Sequence, residues 1–364
     1  MSDLPIYNCH IHTFTTRHVP RQLLKLAWGP VLGAAAGWLL SHKPTTDLLM
    51  WFLRNIDPFS SNDVLERQAA LFTTGNVPTQ REVFLEIEKQ YPHDAVFVVL
   101  AVDLAFFKLG PVIETIDWQH EDLLELAAEF PGRIVPFCAV DPRRNDVLGR
   151  ARQNLAPGKF RGVKIYPNGG YSPCDDKLLG VYALCEERGF PVIAHCSPYG
   201  AWQYGLTLAD RVRFSHPRNY EAIVTRFPKL RLCLAHFGGS SEWDKSLKSK
   251  SAHEGTDRSW VRWIVDLMRN GRYPNLYADI SYLIFQSEGR DIHVTYMDYL
   301  KALLADARVR EHVLFGSDFY MVEREPLSEK EASIALRSHL GEELFFQIAH
   351  HNPRRFLGLE PSKP

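Results

Sequence analysis

The sequence carries no excess of charge of either sign. Lysine plus arginine number 42, aspartate plus glutamate 43, and the formal net charge is -1. A nucleic-acid binder would show a basic field, so no nucleic-acid partner is expected. Cysteine is sparse. Cys9, Cys138, Cys174, Cys185, Cys196 and Cys233 are scattered without any Cys-x-x-Cys spacing, and most sit in apolar runs, where they read as small buried thiols. The first residues, Met1-Ser2-Asp3-Leu4-Pro5, lack a charged-then-apolar leader, and the expected setting is reducing and cytoplasmic. There is no internal repeat and no composition break that would mark a domain boundary. The stretch from Gln22 to Leu40 is moderately apolar and near the roughly 20 residues that spanning a membrane needs. Lys25 and Gly29-Pro30 interrupt it. It reads instead as a helical hairpin that covers a site or makes a subunit contact, with a homodimer as one use for it.

What is present is core material and alternation. Hydrophobic residues make up 45% of 364, which supports a sizeable core and argues against global disorder. The run Leu4 to Tyr7, continuing into Asn8 to His12, reads as a first strand. Further strands are expected at 95–102, 134–140, 161–166, 191–195, 230–236, 276–280 and 313–318. Helical patterns fall between them at 121–130, 146–155, 177–188, 219–227, 258–270 and 295–306, with terminal helices at 329–339 and 342–349. Strands that alternate with helices in this way predict an α/β fold. The expected form is a (β/α)8 TIM-like barrel of one domain over 1–364, with enlarged loops after strands 1, 5 and 6. The insertion after strand 1, about 16–79, reads as helical over 22–40, 48–56 and 64–72, and acts as a cap or interface element.

The polar residues fall at strand ends. Side chains two apart on a strand point the same way. His10 and His12 therefore project together, and two imidazoles can hold one metal ion. Zinc is the usual occupant, with iron, nickel or manganese as competitors. A His-x-His pair alone is a weak signal. Strand 4 adds Lys164 and Tyr166, which face the barrel interior if Val163 and Ile165 face the helices. Strands 5 and 6 end in His195 and His236, and strand 8 ends in Asp318. In a barrel these ends converge on one mouth, where active sites of this fold lie.

The motifs Cys9-His10-Ile11-His12, Gly162-Val163-Lys164-Ile165-Tyr166-Pro167 and Ala194-His195 resemble the amidohydrolase superfamily. So do Ala235-His236-Phe237-Gly238-Gly239, Phe315-Gly316-Ser317-Asp318 and the ending Asn352 to Leu359. The resemblance is to the amidohydrolase-related branch that includes aminocarboxymuconate-semialdehyde decarboxylase, and it spans nearly the whole chain outside the insertion. It implies a divalent metal, zinc foremost, bound by His10, His12, His195 and Asp318, with His236 close to the metal-bound water. Binuclear members carry a carboxylated lysine at the end of strand 4. Lys164 and His236 would then hold a second ion. The branch most resembled usually uses one, and one ion is the preferred expectation. With one ion, Lys164 is a buried cation for Asp318 or for a substrate carboxylate.

Other residues have two readings each. Tyr166 binds substrate or fills the barrel. Arg17 meets an anionic substrate or is solvated. His216 carries protons from the loop after strand 5 or is an ordinary loop histidine. Trp243, with Asp244, forms a lid after strand 6 or packs there. Asp279 stands behind the ligands near the end of strand 7. The preferred activity is metal-dependent hydrolysis of a small molecule: a hydroxide formed at the ion attacks an ester, lactone or amide carbon, and Asp318 shuttles the proton. The alternative is non-oxidative decarboxylation of an aromatic or muconate-like acid. A non-catalytic scaffold with an apolar docking insertion is the third.

Overall fold

Eight short apolar runs pair side by side in chain order, all parallel: β1 (Tyr7–Ile11), β2 (Val96–Leu100), β3 (Ile134–Ala139), β4 (Gly162–Ile165), β5 (Val192–His195), β6 (Leu232–Ala235), β7 (Leu276–Asp279) and β8 (Val313–Leu314). In this computed structural model, residues 4–23, 25–26, 74–248, 258–283, 290–322 and 327–360 are described. The sheet closes at its two ends. Backbone N–H groups of Cys9 and His12 donate to the carbonyls of Phe315 (2.9 Å) and Phe319 (2.6 Å), and that of Asp318 to His10 (2.9 Å). The buried Asn8 amide stitches this seam. It donates to Ser317 Oγ at 2.8 Å and accepts from the N–H of Ser317 at 3.1 Å. The result is a TIM-like α/β barrel.

The strands alternate between two cores. Val96, Val98 and Leu100 pack inside with Phe137, Ile193, Cys233 and Leu314, and Phe356 and Leu357 pack with them. Phe97 and Val99 face outward, and Phe97 meets Phe84 of the helix Gln80–Glu88 edge-to-face. β1 departs from this pleat. Tyr7 and Cys9 lie in the inner cluster, yet Ile11 lies in the outer one. Regular alternation from Cys9 would turn His10 toward the helices. A register shift between Asn8 and Ile11 resets the pleat, as a bulge does when it re-aims a side chain. Both His10 and His12 consequently reach the interior.

Three sequence expectations need correction. The ladder of β8 stops at Leu314, not Asp318. Beyond it Gly316 lies so close to β1 that an added Cβ would sit 2.9 Å from that of His10, and Asp318 takes a left-handed φ of 71°. The loops after β5 and β6 hold helices at Leu208–Ser215 and Ser240–Lys248. The first begins with a capping box between Thr207 and Asp210, which supplies N–H partners that the sequence pattern concealed. The helix ahead of β3 starts at Ile116, five residues before its expected start. The insertion helices expected over 48–56 and 64–72, and all of 22–40 except 22–23 and 25–26, lie outside the described residues.

Candidate metal centre

The strand ends bring together a buried set of lone pairs. His10 donates from Nδ1 to Asp279 Oδ2 at 3.0 Å, so its Nε2 carries the lone pair. His12 donates from Nδ1 to the carbonyl of Leu100 at 2.9 Å, which leaves Nε2 free in the same way. Asp318 Oδ1 lies 3.4 Å from His10 Nε2 and 3.3 Å from His12 Nε2. Acceptors so close to one another in a dry site repel unless a cation sits among them. Two nitrogens or oxygens held tetrahedrally by zinc stand about 3.3 Å apart. The donor set therefore fits a divalent ion, and burial keeps it ready for one. The His10 imidazole is pushed down to about 3 by desolvation and by the Lys164 cation, so it stays neutral. Burial alone would raise the Asp318 carboxyl. Positive charge on a neighbouring imidazole, His236 foremost and then His12 and His10, outweighs that and lowers it below the usual carboxylate range, so a proton entering the cluster goes to an imidazole and Asp318 stays ionised.

A second pair stands beside the first. His195 Nδ1 faces His236 Nε2 at 3.1 Å. His195 donates from Nε2 to the carbonyl of Tyr199 at 2.8 Å, which points the Nδ1 lone pair inward. His236 Nδ1 lies 2.9 Å from Ser281 Oγ, and that hydroxyl donates to Asp279 Oδ1. His236 thus donates from Nδ1, and Nε2 also offers a lone pair. Two lone pairs do not share 3.1 Å without a proton or a cation between them. His195 is absent from the two compact donor clusters at this mouth, His10–His12–Asp318 and His10–His236–Asp279; a third among the described residues, His350–His351–Glu360, belongs to the C-terminal segment. Burial and the charges of His236 and Lys164 lower its pKa well below the ordinary value. Lys164 is 1% exposed, with Nζ 3.3 Å from His10 Nε2. Desolvation lowers its amine to about 8 against the pull of Asp279 and Asp318.

Several supports had little sequence signal. Ser281 ties Asp279 to His10 (3.1 Å) and to His236. Asn168 donates to the carbonyls of Tyr199 (2.9 Å) and Ser197 (3.2 Å), and so fixes the loop that holds His195. Gly200 crosses that histidine with φ 104°; an added Cβ would lie 2.6 Å from the Tyr166 hydroxyl and 3.0 Å from His195 Cε1. Asp279 was legible, since it closes a strand. It accepts the N–H of His236 at 3.0 Å and that of Ser281 at 3.1 Å. His236 itself has a left-handed φ of 62°, an uncommon conformation for a non-glycine residue.

A cavity of about 110 Å³ opens onto His12, His195, His236 and Asp318, and Tyr166 lines it. Tyr166 stacks on His195 with ring centres 4.2 Å apart. The other expected substrate contacts stand elsewhere. Arg17 pairs with Glu114 at 2.5 Å. His216 packs against Trp260 and Trp263, and its Nδ1 accepts from the N–H of Arg218. Trp243 is buried and donates to the carbonyl of Phe237, beneath the turn that carries His236.

A parallel eightfold barrel with histidine and carboxylate donors at one mouth defines a class of metal-dependent enzymes. The chain matches the amidohydrolase family over residues 89–359 and belongs to it. That match begins after β1, so His10 and His12 lie outside it. No curated protein matches the chain. Among solved structures, a probable 2-pyrone-4,6-dicarboxylic acid hydrolase of Acinetobacter baumannii is 11% identical, with a TM-score of 0.57, covering 98% of this chain and 100% of that one. The 5-carboxyvanillate decarboxylase of Sphingomonas paucimobilis is 13% identical, with a TM-score of 0.54 and coverage of 98% and 99%. An amidohydrolase of Burkholderia multivorans with bound zinc is 16% identical, with a TM-score of 0.55 and coverage of 80% and 92%. At these identities the likeness is one of fold. Among the described residues, no helix is long and apolar enough to cross a membrane.

Proposed function

We propose that the protein is a metal-dependent hydrolase of esters, lactones or amides. One divalent ion, zinc foremost, is held by His10, His12 and Asp318, with His195 Nδ1 as the fourth donor. A bound divalent ion supplies the Lewis acidity that makes water nucleophilic near neutral pH. The chain's own groups do the rest. Asp318, kept ionised, accepts a proton and returns it to the leaving group. His236, aimed into the site by Ser281, donates to the substrate carbonyl oxygen when protonated. Asp279 and the Leu100 carbonyl hold the tautomers of His10 and His12.

The observation that favours hydrolysis over decarboxylation is the cavity wall. A decarboxylase has to seat a carboxylate, and apart from the proposed ion itself no lysine or arginine lines this cavity among the described residues to receive one. The decarboxylase reading keeps one support, the buried cation of Lys164 beside His10. The names of the similar structures stand on both sides. The facing pair His195 and His236 is the support for a second ion bridged through a carboxylated Lys164. The test is a panel of lactones and esters beside a panel of aromatic acids. Release of titratable acid from the first supports the proposal; release of carbon dioxide from the second, without acid from the first, refutes it.

A further inference from the structure

The cavity beside the ligand cluster has a chemistry of its own. Phe14, Val19, Leu26, Leu104, Trp202 and Met321 form its wall. The side chains there able to ionise or hydrogen-bond are His12, His195, His236 and Asp318, which belong to the cluster, and Tyr166, Tyr199 and the indole N–H of Trp202, which carry no charge. Among the described residues, no lysine, arginine or glutamate lines it. Arg17, Arg143 and Arg144 are each taken up by a carboxylate: Glu114, Asp141 and Asp103. Arg211 does not line the cavity, and its guanidinium stacks 4.1 Å from the ring centre of Trp202. That contact braces the indole as a wall.

Resting on the hydrolase reading, we propose that the substrate is an uncharged ester or lactone with an apolar group, and that this cavity seats the group. A carboxylate remote from the reacting carbonyl would be desolvated here with no cationic side chain in the wall to pair with it, which is unfavourable. Each methylene moved from water into such a wall improves binding about fourfold. The volume, about 110 Å³, is of the order of the roughly 150 Å³ apolar cavity that accepts benzene. It therefore seats one ring or a short alkyl chain, and longer groups gain nothing more from it.

Methyl ketones test this without turnover, because they carry the carbonyl and the chain but have no bond to hydrolyse. Affinities of the full-length, metal-loaded protein for 2-butanone through 2-octanone are measured by ligand-detected NMR titration. Levulinate serves as the charged counterpart of 2-hexanone. Affinity is expected to climb about fourfold per methylene and then level off. Levulinate should bind at least about 100-fold more weakly than 2-hexanone. Met321→Lys places a cation in the partly exposed edge of the wall and should narrow or reverse that preference. Affinities that stay flat along the ketones, or levulinate binding as tightly as 2-hexanone, overturn the proposal. A rising ketone series with no hydrolysis of any ester or lactone removes the hydrolase reading and leaves the ligand class standing. Hydrolysis with a flat series does the reverse.

Discussion

Asp279→Asn exchanges one oxygen for an NH2 group at a site where every polar atom has a partner. Oδ1 accepts from the N–H groups of His236 and Ser281 and from the Ser281 hydroxyl, and Oδ2 accepts from His10 Nδ1. The asparagine oxygen has to stay with the three donors. Its NH2 then meets the N–H of His10, donor against donor. Relief requires His10 to move its proton to Nε2, which removes the lone pair that faces Asp318 and the proposed ion. Loss of such a supporting carboxylate typically weakens metal binding 10- to 100-fold, or about 1.4–2.7 kcal/mol. The assay is chelator competition for zinc on the refolded or apo protein, with circular dichroism to confirm the fold. Asp279→Ala should weaken zinc less than Asp279→Asn, because it leaves His10 unopposed. Zinc affinity unchanged in Asp279→Asn, or a greater loss in the alanine variant, would refute the tautomer argument.

Gly200→Ala should strain the left-handed crossing over His195 and lower stability by about 1–3 kcal/mol, read as a fall in denaturation midpoint. A wild-type midpoint would show that the loop is not held as described. His195→Ala should lower the metal bound per chain, measured by elemental analysis; an unchanged content excludes it as a donor. In wild type, a content near one supports the single-ion reading and a content near two supports the carboxylated Lys164. His120 is buried and accepts the N–H of Ala139 at 3.0 Å. Burial lowers its pKa to about 4, against an ordinary value near 6.5 when unfolded. The unfolded chain therefore binds the extra proton first. Stability from this group is complete above pH 6.5 and falls by about 1.4 kcal/mol per unit as pH drops toward 4. His120→Gln should flatten that part of the denaturation curve, and an identical slope would contradict the assignment.

The barrel was legible because its strands are continuous apolar runs punctuated by helical patterns. The ligand-type residues were legible because they close those runs: His195 ends β5, and His236 follows β6 directly. What stayed hidden depends on partners remote in sequence. Nothing around Asn168 announces that its amide will hold the carbonyls of a loop some thirty residues away. Ser281 has no pattern of its own and matters because β1, β6 and β7 meet there. The helix Leu208–Ser215 was missed because its apolar content is low and its start is set by a side-chain cap. Arg17 and Trp243 were placed near the site by chain position alone, and the ion pair with Glu114 and the packing under Phe237 claimed them instead.

The irregularity in β1 makes the paired imidazoles a property of one misaligned rung as well as of a three-letter motif. Deleting Cys9 would leave both histidines in the strand while turning the motif to the wrong side. Transplanting the donors onto another eight-stranded scaffold would therefore succeed only if the offset travels with them, together with the asparagine that ties it to the turn after the last strand.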